Sequence, residues 1–148
     1  ALLGIQQMHK VESNLNERRK QATLYDKLLK NINGLSVVQI DKHIKSSYYK
    51  YIVLLDKSIE RLEVKRIMKD KYGIMMPGEV YSDLCHSQPV FTEYPESLNI
   101  IGDQSFSGAK FVSERQICPP LYPGLSSDEI EYVAHSLKQT VTSLFKSE

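Results

Sequence analysis

The sequence has little cysteine and no long apolar run. Only two cysteines, Cys85 and Cys118, occur among its 148 residues, and their spacing does not resemble a disulfide scaffold. A reducing cytosol suits such a chain best, so we expect a cytoplasmic protein. No run of about 18 apolar residues is present, so we expect no membrane span. The formal net charge is +1, so no global field attracts nucleic acid or an acidic membrane surface.

The start of the chain lacks the features of a secretory signal. The stretch ALLGIQQMHKVE has no basic region and becomes polar too soon for a signal peptide. It also lacks an initiator methionine and begins in the middle of a helical pattern, which favours a fragment or a processed chain. With 41% hydrophobic and 25% charged residues, the chain has the composition of one globular domain with a modest core. We expect residues 1–148 to form a single domain, with a connecting helix over 1–33 and an α+β part over 34–148.

An apolar stripe at alternating steps of three and four residues predicts one long helix over residues 1–32. Its members are Met8, Val11, Leu15, Arg18, Ala22, Tyr25, Leu29 and Ile32. Arg18 interrupts the stripe. Its long side chain either extends over apolar surface to water or forms a buried or interfacial ion pair. Asn33 and Gly34 are expected to end the helix.

The middle of the chain predicts a hairpin followed by a helix. Residues 35–40 and 48–55 are short, β-branched or aromatic stretches joined by a polar link, which is typical of two paired strands. Ser58 is a candidate cap for a second helix that runs to about Tyr72 and ends at Gly73. Residues 74–81 then resemble a broken strand, because Pro77 and Gly78 interrupt them.

The last third of the chain alternates irregular and helical patterns. Residues 82–103 predict a long loop, which in a compact domain usually marks a functional segment or an interface. A helix is expected over 107–117, and the three prolines of residues 118–125 exclude another. Ser126 and Glu129 have capping-box spacing before a clear apolar stripe, which predicts a final helix. The element order favours an α+β fold, with helices packed on a small, mainly antiparallel sheet.

Few residues of the sequence form a pattern typical of a catalytic, metal-binding or phosphate-binding site. Cys85 lies next to His86, but a nucleophile and its base normally meet across a fold rather than along the chain, so a packing role is favoured for Cys85. Histidines and cysteines are scattered without zinc spacing, so no metal site is predicted. The stretch GDQSFSGAK has the wrong spacing for a phosphate loop, and an ordinary helix start near Ser107 is favoured over an anion site. The nine tyrosines lack the basic stripe that a nucleic-acid surface needs.

Four stretches, in order, resemble one family. ALLGIQQMHKVE is similar to the helix AALGL-x-QL-x-KL, and RRKQATLYDKLL to its continuation R-x-x-A-x-x-Y-x-x-x-L. EVYSDLCHSQPVF resembles V-x-Y-x-x-P-x-H-x-Q-P-x-F. Residues 108–133 are similar to A-E-x-x-x-x-x-x-L-P-L-Y-P-x-L-T-x-E-E-V-x-x-V. Together they resemble the C-terminal part of the DegT/DnrJ/EryC1/StrS aminotransferases, pyridoxal-phosphate enzymes that aminate nucleotide-linked keto-sugars.

The resemblance implies the C-terminal small domain of a fold-type I pyridoxal-phosphate aminotransferase, with a long N-terminal connecting helix. The family's N-terminal domain, which holds pyridoxal phosphate and the Schiff-base lysine, has no counterpart in this sequence. The chain alone is therefore expected to be inactive, with no catalytic, cofactor-binding or metal-binding residue of its own. The full-length protein is expected to be a homodimer that moves an amino group from an amino acid, with glutamate as the expected donor, to a nucleotide-linked keto-sugar.

The resemblance also assigns two substrate-binding residues. His86 matches the family histidine at the mouth of the active site, near the sugar nucleotide, and Tyr81 matches the aromatic position earlier in the same stretch. Leu84 replaces a frequent proline and Ser87 a frequent leucine, which leaves the particular sugar open. The competing interpretation of the same sequence is a non-catalytic interaction or regulatory domain.

Overall fold

The computed structural model describes residues 2–80, 83–97 and 106–145. The helices and strands in this part of the chain are α1 (Leu2–Met8), α2 (Val11–Leu29), β1 (Leu35–Val37), β2 (Val53–Leu55), α3 (Arg61–Tyr72), α4 (Pro89–Glu93), α5 (Ser107–Arg115), β3 (Gln116–Ile117) and α6 (Ser127–Leu144). Two short 3₁₀ turns, Cys85–Ser87 and Pro95–Ser97, flank α4. None of the helices described is long and apolar enough to cross a membrane.

The three strands form one antiparallel sheet in the order β1-β2-β3. Leu35 pairs with Leu55 in the first ladder, which confirms the predicted hairpin and the α+β class. Both strands are shorter than predicted. One reason is Tyr48, whose positive φ of 45° interrupts the extended backbone before β2, because this left-handed conformation does not belong to a strand.

The third strand replaces the end of a predicted helix. The helix expected over 107–117 begins at Ser107 but ends at Arg115, so its last two residues were assigned wrongly. Gln116 has φ −72° and ψ 139°, and Ile117 pairs with Val53. Sheet pairing and burial override the local helical pattern at this point.

The predicted single N-terminal helix is two helices. A turn at His9 and Lys10 separates α1 from α2, and Lys10 N donates to Gln7 O at 3.0 Å. Because α1 buries no residue, no packing against the core supports a continuous helix through the turn. The apolar side chains of α1 are exposed, with Leu2 at 81% and Leu3 at 83%.

Helix α2 buries the C-terminal half of its predicted stripe. Ala22, Tyr25 and Leu29 are almost fully buried, and α2 packs chiefly against α6. Arg18 is partly buried, and its Nε is buried without a hydrogen-bond partner among the described residues. Helix α2 ends at Leu29, earlier than predicted, and Asn31 just beyond it has a positive φ of 59°.

Helix α6 provides the most extensive packing surface. It begins as predicted: Glu129 N donates to Ser126 Oγ at 3.2 Å, and Ser126 N donates to Glu129 Oε2 at 2.8 Å. Its inner face then contributes a row of core side chains. These are Ile130, Val133, Ala134, Leu137 and Val141.

Three expectations for the residues that follow β2 need correction. Helix α3 is capped by Glu60, which accepts a bond from Glu63 N at 2.7 Å, and not by Ser58, whose hydroxyl donates to Asp56 instead. No strand occurs over the described residues 74–80. The predicted loop is partly helical where the structure describes it, because Pro89 begins α4 with its φ already restricted to helical values.

Candidate functional site

His86 lies in the middle of a short 3₁₀ turn that is closed by its own hydrogen bonds. Ser87 N donates to Leu84 O at 3.0 Å, and Gln88 N donates to Cys85 O at 3.1 Å. The Gln88 side chain also donates to Leu84 O, at 3.3 Å. The turn therefore holds the backbone of His86 in place, and its imidazole is half-buried.

The imidazole of His86 stacks on the ring of Phe106. The ring centroids are 4.0 Å apart and the ring planes differ by 17°. Phe106 lies at the N-terminus of α5, and Lys110 N donates to its carbonyl oxygen at 3.0 Å. The stack thus joins the histidine turn to the start of a helix twenty residues further along the chain.

The backbone that leads towards His86 is anchored by a charged cluster at Glu79. Lys65 Nζ lies 2.8 Å from Glu79 Oε1, and Arg61 Nε lies 3.8 Å from the same oxygen. The hydrogen bond from Lys65 is the main reason that the pKa of Glu79 is lowered, and it outweighs the opposing effect of burial. Lys50 Nζ donates to the carbonyl oxygens of Gly78 and Glu79, each at 3.0 Å.

The next residue, Val80, is held by the side chain of Gln116. Gln116 Nε2 donates to Val80 O at 2.9 Å, and Val80 N donates to Gln116 Oε1 at 3.0 Å. The amide therefore satisfies both backbone groups of Val80, as a neighbouring strand would. Gln116 is only 1% exposed. Sequence reasoning did not select Gln116, although a glutamine next to the apolar residues 117 and 118 is a visible signal of a buried amide.

A groove of ≈ 530 Å³ runs beside the histidine turn. Its lining includes Val80, Leu84 and Cys85 of the segment around His86, and Ala109 and Val112 of α5. Cys85 is exposed, so the predicted packing role is wrong for this residue. The groove is therefore a mainly apolar surface bounded by the same two segments that hold His86 and Phe106.

Tyr81, the other predicted substrate-binding residue, lies outside the described residues, so its role stays a prediction. The structure does fix the residue before it, since both backbone groups of Val80 are bonded to Gln116. Val80 is thus held by Gln116, and His86 is held by the 3₁₀ turn.

The described residues near this segment do not fit covalent attachment of pyridoxal phosphate. Lys65 is paired with Glu79, and Lys50 donates to two carbonyl oxygens. Both amines that contact the segment are therefore engaged. Within residues 2–80, 83–97 and 106–145, no group of three histidine, cysteine, aspartate or glutamate side chains is placed to hold a metal ion.

Comparison with known proteins places this chain in a family. The family model of the DegT/DnrJ/EryC1/StrS aminotransferases matches residues 1–138. An uncharacterized protein of Methanocaldococcus jannaschii is 28% identical over 96% of this chain and 36% of its own length. The dTDP-4-amino-4,6-dideoxy-D-glucose transaminase of Shigella dysenteriae is 25% identical over 94% of this chain and 36% of its own length.

A solved structure agrees with these matches. The crystal structure of the aminotransferase TlmJ from Streptoalloteichus hindustanus superposes with a TM-score of 0.78 at 26% identity, over 96% of this chain and 35% of that one. The chain thus spans about a third of the length of the relatives it matches. With a family model that covers nearly all of its sequence and a fold shared with TlmJ, the chain belongs to the DegT/DnrJ/EryC1/StrS aminotransferase family.

Proposed function

We propose that this chain is the C-terminal domain of a sugar-nucleotide aminotransferase. The full-length enzyme would transfer an amino group from an amino acid, glutamate in the simplest case, to a nucleotide-linked keto-sugar. Family membership supports the reaction class. The relative from Shigella dysenteriae, named a transaminase of a dTDP-linked amino sugar, supports the substrate class.

The observation that carries the proposal is the fixed position of His86. Its turn is closed by hydrogen bonds, and its ring is stacked on Phe106. A neutral imidazole offers one N–H donor and one acceptor nitrogen, and a protonated imidazole offers two donors. Such a group is suited to bind phosphate or sugar oxygens of a nucleotide-linked sugar. In this proposal, Tyr81 contributes its phenol hydroxyl to the same ligand.

The chemistry of amino transfer would come from pyridoxal phosphate, which acts as an electron sink when bound. We place that cofactor and its lysine in an N-terminal domain of the full-length protein, because the family resemblance assigns them there and this chain spans only 36% of the length of two relatives. Residues 1–33 would connect the two domains and residues 34–148 would form the small domain. The chain alone would then bind part of the substrate without converting it.

The exposed apolar face of α1 supports a further contact in the full-length protein. Leu2, Leu3, Ile5 and Met8 are all more than half exposed, and contiguous exposed apolar side chains commonly mark interfaces. We propose that this face packs on the N-terminal domain and that the enzyme is a homodimer. Sedimentation of the full-length protein as a monomer at micromolar concentration would count against the dimer.

The same exposed face also favours the alternative, an interaction domain without catalysis. The coding sequence upstream of Ala1 separates the two interpretations. About 250 residues with a pyridoxal-binding lysine segment support the enzyme, since aligned stretches of 144 and 141 residues make up 36% of two relatives, which are therefore about 400 residues long. An upstream region without such a segment contradicts the enzyme and leaves the interaction domain.

Steady-state kinetics of the full-length enzyme test the role of His86. We expect His86→Ala to lower kcat/KM for the sugar nucleotide by roughly tenfold, the loss of about one hydrogen bond to a charged group. The absorbance of the bound cofactor is expected to stay the same. His43→Ala is the matched control, because His43 is an exposed histidine in a different turn, where its backbone N donates to Asp41 Oδ1. Unchanged kinetics in His86→Ala would overturn the assignment.

A further inference from the structure

We propose that Phe106 is a positioning residue for His86: its ring fixes the plane of the imidazole and thereby the direction in which the two ring nitrogens meet a ligand. The claim that this orientation of the imidazole serves substrate binding rests on the function proposed above. The positioning itself can be measured without substrate, so the two claims can fail separately.

The stacking geometry is the first support. The two ring planes are within 17° of parallel at a centroid separation of 4.0 Å, so one face of the imidazole is covered. The rings come from different segments, His86 from the 3₁₀ turn and Phe106 from the residue before α5. Phe106 therefore blocks the approach of a ligand to that face of the imidazole.

The chemistry of the imidazole explains why its plane matters. Hydrogen bonds to both ring nitrogens lie close to the ring plane, so turning the ring about its bond to Cβ redirects both of them. That torsion has a broad preference in histidine, and the backbone alone does not select one value. Contact with a flat partner such as Phe106 restricts this torsion, and in this structure it holds the imidazole within 17° of parallel to the phenylalanine ring.

The backbone of Phe106 is the second support. Its φ of 48° and ψ of 37° are left-handed, which is uncommon for a bulky residue without glycine's freedom. Such conformations persist where the surrounding structure holds them, and they occur often at functional sites. Here the first turn of α5 holds the residue through the bond from Lys110 N to its carbonyl oxygen at 3.0 Å.

Proton NMR of the 148-residue chain is the direct test. We expect nuclear Overhauser contacts between the ring protons of His86 and Phe106, and upfield shifts of the His86 ring protons caused by the phenylalanine ring current. Phe106→Leu should abolish the upfield shifts, whereas Phe106→Tyr should retain them. Phe111→Leu is the matched control, since Phe111 is 45% exposed and contacts Arg115 instead.

The nuclear Overhauser contacts between His86 and Phe106 in the unsubstituted chain test the positioning role even if the Phe106→Leu chain does not fold. Their absence, or unchanged His86 shifts in a folded Phe106→Leu chain, would overturn the positioning role. In the full-length enzyme, Phe106→Leu should lower kcat/KM for the sugar nucleotide roughly tenfold, as expected when a binding group is misdirected, and Phe106→Tyr should restore most of it.

A double-substitution cycle separates positioning from an independent effect. If Phe106 acts through His86, Phe106→Leu should change little once His86 is already alanine. Additive losses would contradict the positioning role. If His86→Ala has no kinetic effect while the stack is seen by NMR, the substrate role fails and the positioning stands.

Discussion

Gln116 satisfies both backbone groups of Val80 with a single side-chain amide, at 2.9 Å and 3.0 Å. The residue therefore has two structural roles. Its backbone extends the sheet by pairing with Leu54, and its side chain fixes the segment that leads to Tyr81 and His86. A buried amide at the edge of the sheet links the fold of the domain to its candidate site.

Replacing this amide should cost stability. In Gln116→Leu, the N–H and C=O of the half-buried Val80 lose their partners. A fully buried group left unsatisfied costs about 1–3 kcal/mol, and a half-buried group costs less. We expect a loss of about 1–3 kcal/mol in the free energy of unfolding, measured by urea denaturation. Gln139→Leu is the control, because Gln139 makes its hydrogen bonds at the exposed surface of α6. Equal effects of the two substitutions would contradict the role of Gln116.

The charged cluster at Glu79 should make stability depend on pH in a defined direction. The lowered pKa of Glu79 means that its stabilising contribution is present above the ordinary carboxyl pKa and is lost as the pH falls through the lowered, folded-state value. Glu79→Gln should therefore destabilise the chain at neutral pH, by about 1–2 kcal/mol for a partly buried pair. In strongly acidic solution the difference from the unsubstituted chain should vanish.

Denaturation curves at several pH values check this expectation. Glu131→Gln is the control, since Glu131 is exposed on α6 and makes no ion pair with any residue described. A Glu79→Gln difference that stays constant from neutral to acidic pH would show that lost packing, and not lost charge pairing, causes the effect.

The N-terminal cap of α6 should contribute measurably to stability. Ser126→Ala removes the hydroxyl that accepts from Glu129 N, and loss of such a cap costs about 0.5–2 kcal/mol. The adjacent Ser127→Ala is the matched control, because Ser127 is exposed at the first helical position. Equal values of Tm for the two variants in thermal denaturation would contradict the importance of the cap.

The two thiols should react at very different rates. Cys85 is exposed, whereas Cys118 is only 8% exposed, and burial raises the pKa of the Cys118 thiol. Because the thiolate is the reactive form, a thiol reagent at neutral pH should modify Cys85 quickly and Cys118 only after unfolding. Peptide mapping of the modified chain identifies the site. Equal modification of both thiols in the folded chain would contradict this arrangement.

Local signals predicted the elements that they control directly. Ser126 and Glu129 form the predicted capping box, and Gly73 ends α3 with a positive φ of 69°. Two of the errors arose where tertiary contacts, or their absence, decide the structure. Gln116 and Ile117 continue a helical pattern but pair with β2, and the N-terminal helix breaks at His9 and Lys10.

The residues of the candidate site could be predicted only in part from the sequence, for the same reason. The resemblance of residues 79–91 to a family motif selected His86. The partners that fix this segment, Phe106 and Gln116, lie 20 or more residues from the groups that they contact. Local sequence patterns carry no signal for pairings across such distances, so these contacts needed the folded chain.

Calorimetric titration of the cofactor-loaded, full-length enzyme with a dTDP-linked sugar tests the central claim most directly. If His86 contacts the sugar nucleotide, His86→Ala should weaken binding roughly tenfold, about 1.4 kcal/mol. His43→Ala should leave the affinity unchanged. Equal affinities of the unsubstituted enzyme and His86→Ala would show that His86 does not contact the substrate, and would contradict the account.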